Sequence, residues 1–246
     1  MRIVVFSDVH ANLVALEAAL AHAGPADAYW FLGDAVGYGP DPNAVLERLR
    51  ALPNCRCLLG NHDAAVVGQL PLDWFHRDAQ RALTWTREVL TPENQAFLRR
   101  LEPRLDFDEV ILAHGSPRDP LEEYLLSDTA ARTNLRLMDT PYAFIGHSHI
   151  PLAWVRRGDQ DIQLVRPVGG DFGDEMALPP GGAIFNPGSV GQPRDGDPRS
   201  AYAVYDPQGR TWTWHRVAYD LDAAIARFLR VPALPTRFAY RLREGQ

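Results

Sequence analysis

The chain has 246 residues, 46% hydrophobic and 23% charged, with a formal net charge of −6. That length predicts one large domain, able to bury a substantial core without a disulfide or a structural metal. The acidic balance argues against a general nucleic-acid or membrane-surface binder, although bound cations would add local positive charge that a residue count omits. Every basic residue is an arginine, which excludes Schiff-base chemistry and the lysine of a phosphate-binding loop.

In chain order, Arg2 to Phe6 has the pattern of a buried strand, and Asn12 to Ala23 is helical through Leu13, Leu16, Ala19 and Leu20. Ala28 to Leu32 predicts a second strand, Pro42 to Leu52 a helix with Pro42 suited to its first turn, and Arg56 to Leu59 a third strand. Strand and helix in alternation predict a parallel α/β sheet. The stretch from about 64 to 101 is helical and rich in aromatics. Trp74, Phe75 and Trp85 in it are expected to be core, with a lid over a substrate as the second reading. Val110 to Ala113 and Tyr142 to Ile145 are short strands. Beyond Pro151 the pattern turns to β, with strands over Leu152 to Arg156, Ile162 to Arg166, Ala183 to Phe185, Ala201 to Tyr205 and Thr211 to Val217. A helix from Leu221 to Leu229 follows. The second half thus predicts another sheet packed on the first, within one domain over 1–246 that carries 64–101 as a lid-like helical insertion.

Three smaller features complete the inventory. Cys55 and Cys57 share a strand face with no second pair to build a zinc site, and suit a reducing compartment. The acidic stretch 169–175 predicts a solvated loop. No apolar run spans a bilayer, and the N-terminus enters a polar motif at once rather than a signal peptide, so a cytoplasmic protein is expected.

The chemistry lies in five polar motifs, most of them directly after an apolar run: Asp8-Val9-His10, Gly33-Asp34, Gly60-Asn61-His62-Asp63, Ala113-His114-Gly115 and Gly146-His147-Ser148-His149. In α/β folds strand ends deliver such side chains to the carboxyl edge of the sheet, where sites form. Asp8 and His10, two apart, are expected to point to one side of an extended backbone, and His147 and His149 likewise. Any one of these residues alone reads as a helix cap or turn; together they predict a metal centre. Asp8, His10, Asp34, Asn61, His114, His147 and His149 are seven candidate ligands. That is too many for one tetrahedral ion and suits two ions sharing a carboxylate, the device that hydrolyses phosphate esters with ions roughly 3.5–4 Å apart.

This series resembles the calcineurin-like metallophosphoesterase superfamily from Asp8 to His149, and the Asn186-Pro187-Gly188-Ser189 turn resembles its small bacterial and archaeal phosphodiesterase branch. The resemblance implies a four-layer α/β/β/α sandwich of two mixed sheets flanked by helices. It implies two divalent ions, with manganese the first candidate and iron, nickel, cobalt or zinc the others. Asp8, His10 and His149 would hold one ion, Asn61, His114 and His147 the other, and Asp34 would bridge. A hydroxide between the ions would attack phosphorus in line, with His62 gripping a phosphate oxygen or protonating the leaving oxygen. Asp63 would orient His62, or alternatively cap the helix that follows.

Where phosphoprotein phosphatases of the superfamily carry an acidic residue and an arginine after the second motif, this chain has Gly37 and Tyr38. That departure favours a small phosphodiester or nucleotide substrate over a phosphomonoester or phosphoprotein. Arg118 and Arg194 are loop candidates for gripping phosphate, and Asn12 is a third, with helix capping as its alternative. A catalytically silent binding module on the same fold is the competing class; it is disfavoured because His62 and all seven ligands are present.

Overall fold

A computed structural model of the chain describes residues 1–158, 161–167, 173 and 175–246. In β1 (Ile3–Phe6) the period of two sends Val4 and Phe6 to one face and Ile3 and Val5 to the other, and both faces are buried. After it come α1 (Leu13–Ala23), β2 (Ala28–Phe31), α2 (Pro42–Arg50), β3 (Cys55–Cys57) and α3 (Asn61–Val66). Next are α4 (Arg77–Val89), α5 (Pro92–Leu98), β4 (Arg104–Asp106), β5 (Val110–Ala113), α6 (Asp128–Leu137), β6 (Tyr142–Phe144), β7 (Leu152–Arg156) and β8 (Ile162–Val165). The remainder is β9 (Glu175–Ala177), β10 (Ala183–Asn186), β11 (Ser200–Asp206), β12 (Thr211–Val217), α7 (Leu221–Leu229) and α8 (Arg237–Tyr240).

The strands form two six-stranded sheets, β3-β2-β1-β11-β12-β9 and β4-β5-β6-β10-β7-β8. In the first, β1, β2 and β3 are parallel, whereas β11, β12 and β9 join antiparallel. In the second, β5, β6 and β10 are parallel and β4, β7 and β8 antiparallel. Both sheets are therefore mixed. Their inner faces meet through Val5, Trp30, Phe144, Phe185, Trp212 and Trp214. Leu16, Leu20, Val45 and Leu46 of α1 and α2 cover the outer face of the first sheet, and Ala131 and Leu135 of α6 that of the second. This is the four-layer α/β/β/α sandwich.

The division of the chain between sheets differs from the sequence expectation. The stretch beyond Pro151 does not build the second sheet by itself: β11 and β12 return to pair with β1, while β5 and β6, which precede it, join the other sheet. Alternation along a strand identifies its faces but not its neighbour, which is why the sequence pattern missed this crossing. Helix α6 and the short strands β4 and β9 also carried too little pattern to be expected. The proposed loop at 169–175 lies largely outside the described residues.

Candidate metal centre

The carboxyl ends of β1, β2 and β3 release Asp8 and His10, Asp34, and Asn61 with His62; those of β5 and β6 release His114 and His147 with His149. Among the described residues, Asp8, His10, Asp34, His147 and His149 have φ between 48° and 63°. This left-handed region costs a non-glycine residue about 1–3 kcal/mol and persists only where surrounding structure enforces it. The route to the site is thus a set of tight left-handed loops, and not the extended backbone expected for Asp8-x-His10 and His147-x-His149. The turn after β10 helps enforce them. Ser189 Oγ donates to the Asp8 carbonyl at 2.7 Å, and Asn186 Nδ2 donates to the Gly146 carbonyl at 2.6 Å.

Asp34 stands in the middle. Its Oδ2 is 3.5 Å from His10 Nε2 and 3.5 Å from His114 Nε2, and its Oδ1 accepts the His62 backbone N–H at 2.9 Å. On one side Asp8 Oδ1 lies 3.3 Å from His149 Nε2 and 3.9 Å from His10 Nε2; on the other His114 Nε2 lies 3.3 Å from Asn61 Oδ1. Donor atoms of Asp8, His10 and His149, and those of Asp34, His114 and His147, each fall within 4.8 Å of one another. All seven candidate ligands are buried and brought together.

Backbone carbonyls set the direction of each imidazole. Nδ1 of His10 faces Val36 O at 3.1 Å, that of His114 faces Leu32 O at 2.8 Å, and that of His149 faces Gln192 O. A carbonyl only accepts, so each Nδ1 carries a proton and Nε2 turns inward. His147 is reversed: its Nε2 faces Glu122 O at 3.2 Å, leaving Nδ1 for the centre. His10 and His149 consequently present two lone pairs to each other across 3.1 Å, and Asp8 Oδ1 beside them is buried without a hydrogen bond. Positive charge belongs between these atoms. Divalent metal ions fit the donor set, because mixed imidazole and carboxylate donors suit transition metals.

The electrostatics divide the histidines. Burial, against the pull of Asp34, holds the His10 imidazole well below its usual range, and burial pushes His147 down to about 3, so both are neutral donors. Burial also opposes charge on His114, but Asp34 and its hydrogen bond lift that ring to about 9. Asp34 itself stays well below the usual carboxylate range despite burial, held there by His114 and His62.

His62, the second residue of α3, packs edge-on against His10 and Phe75 with centroids at 4.9 and 5.0 Å, and against Tyr38 at 4.4 Å. Its Nδ1 is buried with no hydrogen-bond partner. Asp63 is not its orienting group: the carboxylate accepts from the backbone of Ala35, Val36 and Gly60 at 3.0–3.1 Å, tying the second motif to the start of α3. Asn12 likewise serves the fold. Its Oδ1 caps α1 on Ala15 and its Nδ2 binds the Gly191 carbonyl. Arg118 pairs with Glu123, which places its fork on a protein carboxylate. Arg194 stays near the centre, with its backbone N–H donating to the His149 carbonyl at 3.3 Å.

Beside the centre lies a cavity of about 220 Å³ lined by Tyr38, Asn61, His62, Trp74, Phe75, His76, Glu122, Tyr124 and His147. Trp74 is 61% exposed at its mouth, contrary to the core expectation, and Tyr124, 49% exposed, stacks on His147 at 3.9 Å. Phe75 and Trp85 are half-buried, packed against Ala79, Ala82 and Phe238. Sequence reasoning overlooked Tyr124 and the tail residue Arg241, which lies over Tyr38. No motif marks either one.

Comparisons with known proteins fit this geometry. The chain is 35% identical over 241 residues to an uncharacterized protein of Methanocaldococcus jannaschii, covering 93% of this chain and 92% of that one. A metallophosphoesterase of known structure from Sphaerobacter thermophilus is 41% identical, with a TM-score of 0.89 over 100% of both chains. A shorter match, 42% identical over 127 residues, is to a symmetrical bis(5'-nucleosyl)-tetraphosphatase of Pectobacterium atrosepticum and covers 44% of this chain and 41% of that one. The model of the calcineurin-like phosphoesterase superfamily domain matches residues 1–210, and the chain belongs to that superfamily.

Proposed function

We propose that this chain is a dinuclear metal-dependent phosphoesterase acting on a small phosphodiester or nucleotide. The observation that carries the reading is Asp34 Oδ2, 3.5 Å from a histidine of each donor group, where a bridging carboxylate belongs. Asp8, His10 and His149 would hold one ion, and Asn61, His114 and His147 the other; manganese is the first choice, with iron, nickel, cobalt or zinc also suited. When bound, the pair supplies Lewis acidity and a water of lowered pKa for in-line attack at phosphorus.

The protein's own part is placement. His62 stands beside both donor groups, where its ring can hold a phosphate oxygen and deliver a proton to the leaving oxygen. The cavity accommodates the rest of the substrate, and its Trp74 and Tyr124 rings suit a nucleobase or another aromatic ester group. Gly37 and Tyr38 leave the second motif without its acidic residue and arginine, which favours a small substrate over a phosphoprotein. The free thiols of Cys55 and Cys57 suit a reducing, cytoplasmic setting, and among the described residues no helix is long and apolar enough to cross a membrane.

Hydrolysis of bis-p-nitrophenyl phosphate beside p-nitrophenyl phosphate, with Mn²⁺ and with chelator, tests the proposal. Metal-dependent turnover favouring the diester is expected. Preference for the monoester would replace the diesterase reading by a phosphomonoesterase. Inactivity of the metal-loaded chain on a broad phosphoester panel would point to a binding module.

A further inference from the structure

Arg241 lies in the tail, beyond the 1–210 span that the superfamily model matches. The tail is built into the fold: Phe238 and Leu242 are buried, and the Gly245 carbonyl accepts the Gly196 N–H at 3.0 Å. This seating puts the Arg241 guanidinium over the Tyr38 ring, 4.8 Å from its centroid, with that of Arg194 over the same ring at 5.9 Å. The Tyr38 ring in turn lies 4.7 Å from the His10 ring and 4.4 Å from that of His62. Both arginines donate to a single oxygen, Gln192 Oε1.

Two guanidinium groups converging on one amide oxygen repel each other. Neighbouring arginines are neutralised: Arg237 by Asp78 at 2.6 Å, Arg227 by Asp41 and Arg243 by Asp222. Among the described residues, no carboxylate lies within ion-pairing distance of Arg194 or Arg241, and the Nε of Arg241 is buried without a partner. Burial, then the charge of Arg194, lowers the Arg241 pKa to about 10. Like charges held together beside an active centre, with a donor left over, form a receptor for an anion.

We propose that Arg241 and Arg194 form a clamp that binds a phosphate group of the substrate at the His10–His62 edge of the centre. This rests on the function proposed above. The clamp restores, from the tail, the forked donor that Gly37 and Tyr38 withhold from the second motif, and Tyr38 becomes the platform on which the guanidiniums stack.

The test uses the full Mn²⁺-loaded chain and inorganic phosphate as probe, with its Kd measured by calorimetry and its competitive inhibition of turnover measured alongside kcat and KM. Arg241→Gln is expected to weaken phosphate by about 10-fold or more and to raise KM, with bound manganese unchanged. Arg241→Lys should recover only part of the loss, and Arg237→Gln should match wild type. A purely structural Arg241 would lower the melting temperature of Arg241→Gln and leave the phosphate Kd of the folded protein unchanged, which overturns the clamp. Should Arg241→Gln fail to fold, an unchanged Kd in Arg241→Lys overturns it equally. A wild type that binds no phosphate at millimolar concentration also overturns it. A wild type that hydrolyses nothing yet binds phosphate through Arg241 would keep the clamp and remove the phosphoesterase reading.

Discussion

A methyl group added to Gly37 would lie 2.4 Å from Nδ1 of His62. The residue that departs from the phosphoprotein-phosphatase pattern is therefore one that the catalytic candidate needs for room, and its φ of +84° also favours glycine. Gly37→Ala should push the His62 ring from its place while leaving the seven candidate ligands in theirs. Expected are a drop in kcat of about 100-fold and unchanged bound metal, measured on the same preparation. Wild-type kcat in a folded Gly37→Ala protein would remove His62 from the mechanism.

Asp34 is the carboxylate between the two donor groups, so Asp34→Asn should reduce both metal content and hydrolysis. Metal bound at 100 times its Kd stabilises a fold by about 2.7 kcal/mol, and chelator should lower the wild-type melting temperature by roughly 5–10 °C. The Asp34→Asn protein should show a much smaller shift. Equal chelator shifts in the two proteins would place the ions elsewhere.

Asp63 accepts three backbone N–H groups at 3.0–3.1 Å from inside the protein. Asp63→Ala strands those donors and should lower stability by at least about 2 kcal/mol, seen in urea unfolding. Asp63→Asn keeps one acceptor oxygen and should fall between. An Asp63→Ala protein as stable as wild type but slow in turnover would return Asp63 to the role of orienting His62.

A pH effect is expected far from the centre. Half-buried His215 stacks on Tyr202 at 4.9 Å, and burial, then His22 and Arg2, push it down to about 4. The folded state thus prefers the neutral ring, whereas the unfolded ring titrates at its ordinary value of 6.5. The stability tied to this preference is complete above pH 6.5 and is lost as pH falls toward 4. Solvent screening limits it to about 1 kcal/mol. His215→Gln should flatten that part of the stability–pH curve, and a curve of unchanged slope would refute the assignment.

The sequence made the candidate ligands legible because each is a polar residue in a short motif, most of them directly after an apolar run, and because Asp34, His114 and the rest recur in a recognisable order. Most strands were legible from short apolar runs, and the helices α1, α2 and α7 from apolar spacing, with Pro42 at the first turn of α2. Other features were not. The left-handed backbone at Asp8 and His10 leaves no composition signal, since neither residue is glycine. The pairing of β11 with β1 depends on contacts some 200 residues apart, which no local pattern encodes. Arg241 is one arginine in a tail that also contains Arg237 and Arg243; only the seating of Phe238 and Leu242 singles it out. Asp63, Asn12 and Arg118 show the reverse case, polar residues beside functional motifs whose bonds all serve the fold.

The loops that supply Asp8, His10, Asp34 and Asn61 leave one sheet, and those that supply His114, His147 and His149 leave the other. Each proposed ion would therefore act as a rivet through both halves of the sandwich. Its affinity would depend on how firmly the halves are joined as well as on the donors around it. Thinning the seam far from any ligand, for example by removing the buried indole of Trp212, should then appear first as metal that escapes more readily. The chemistry and the core of this protein would be two readouts of one mechanical joint.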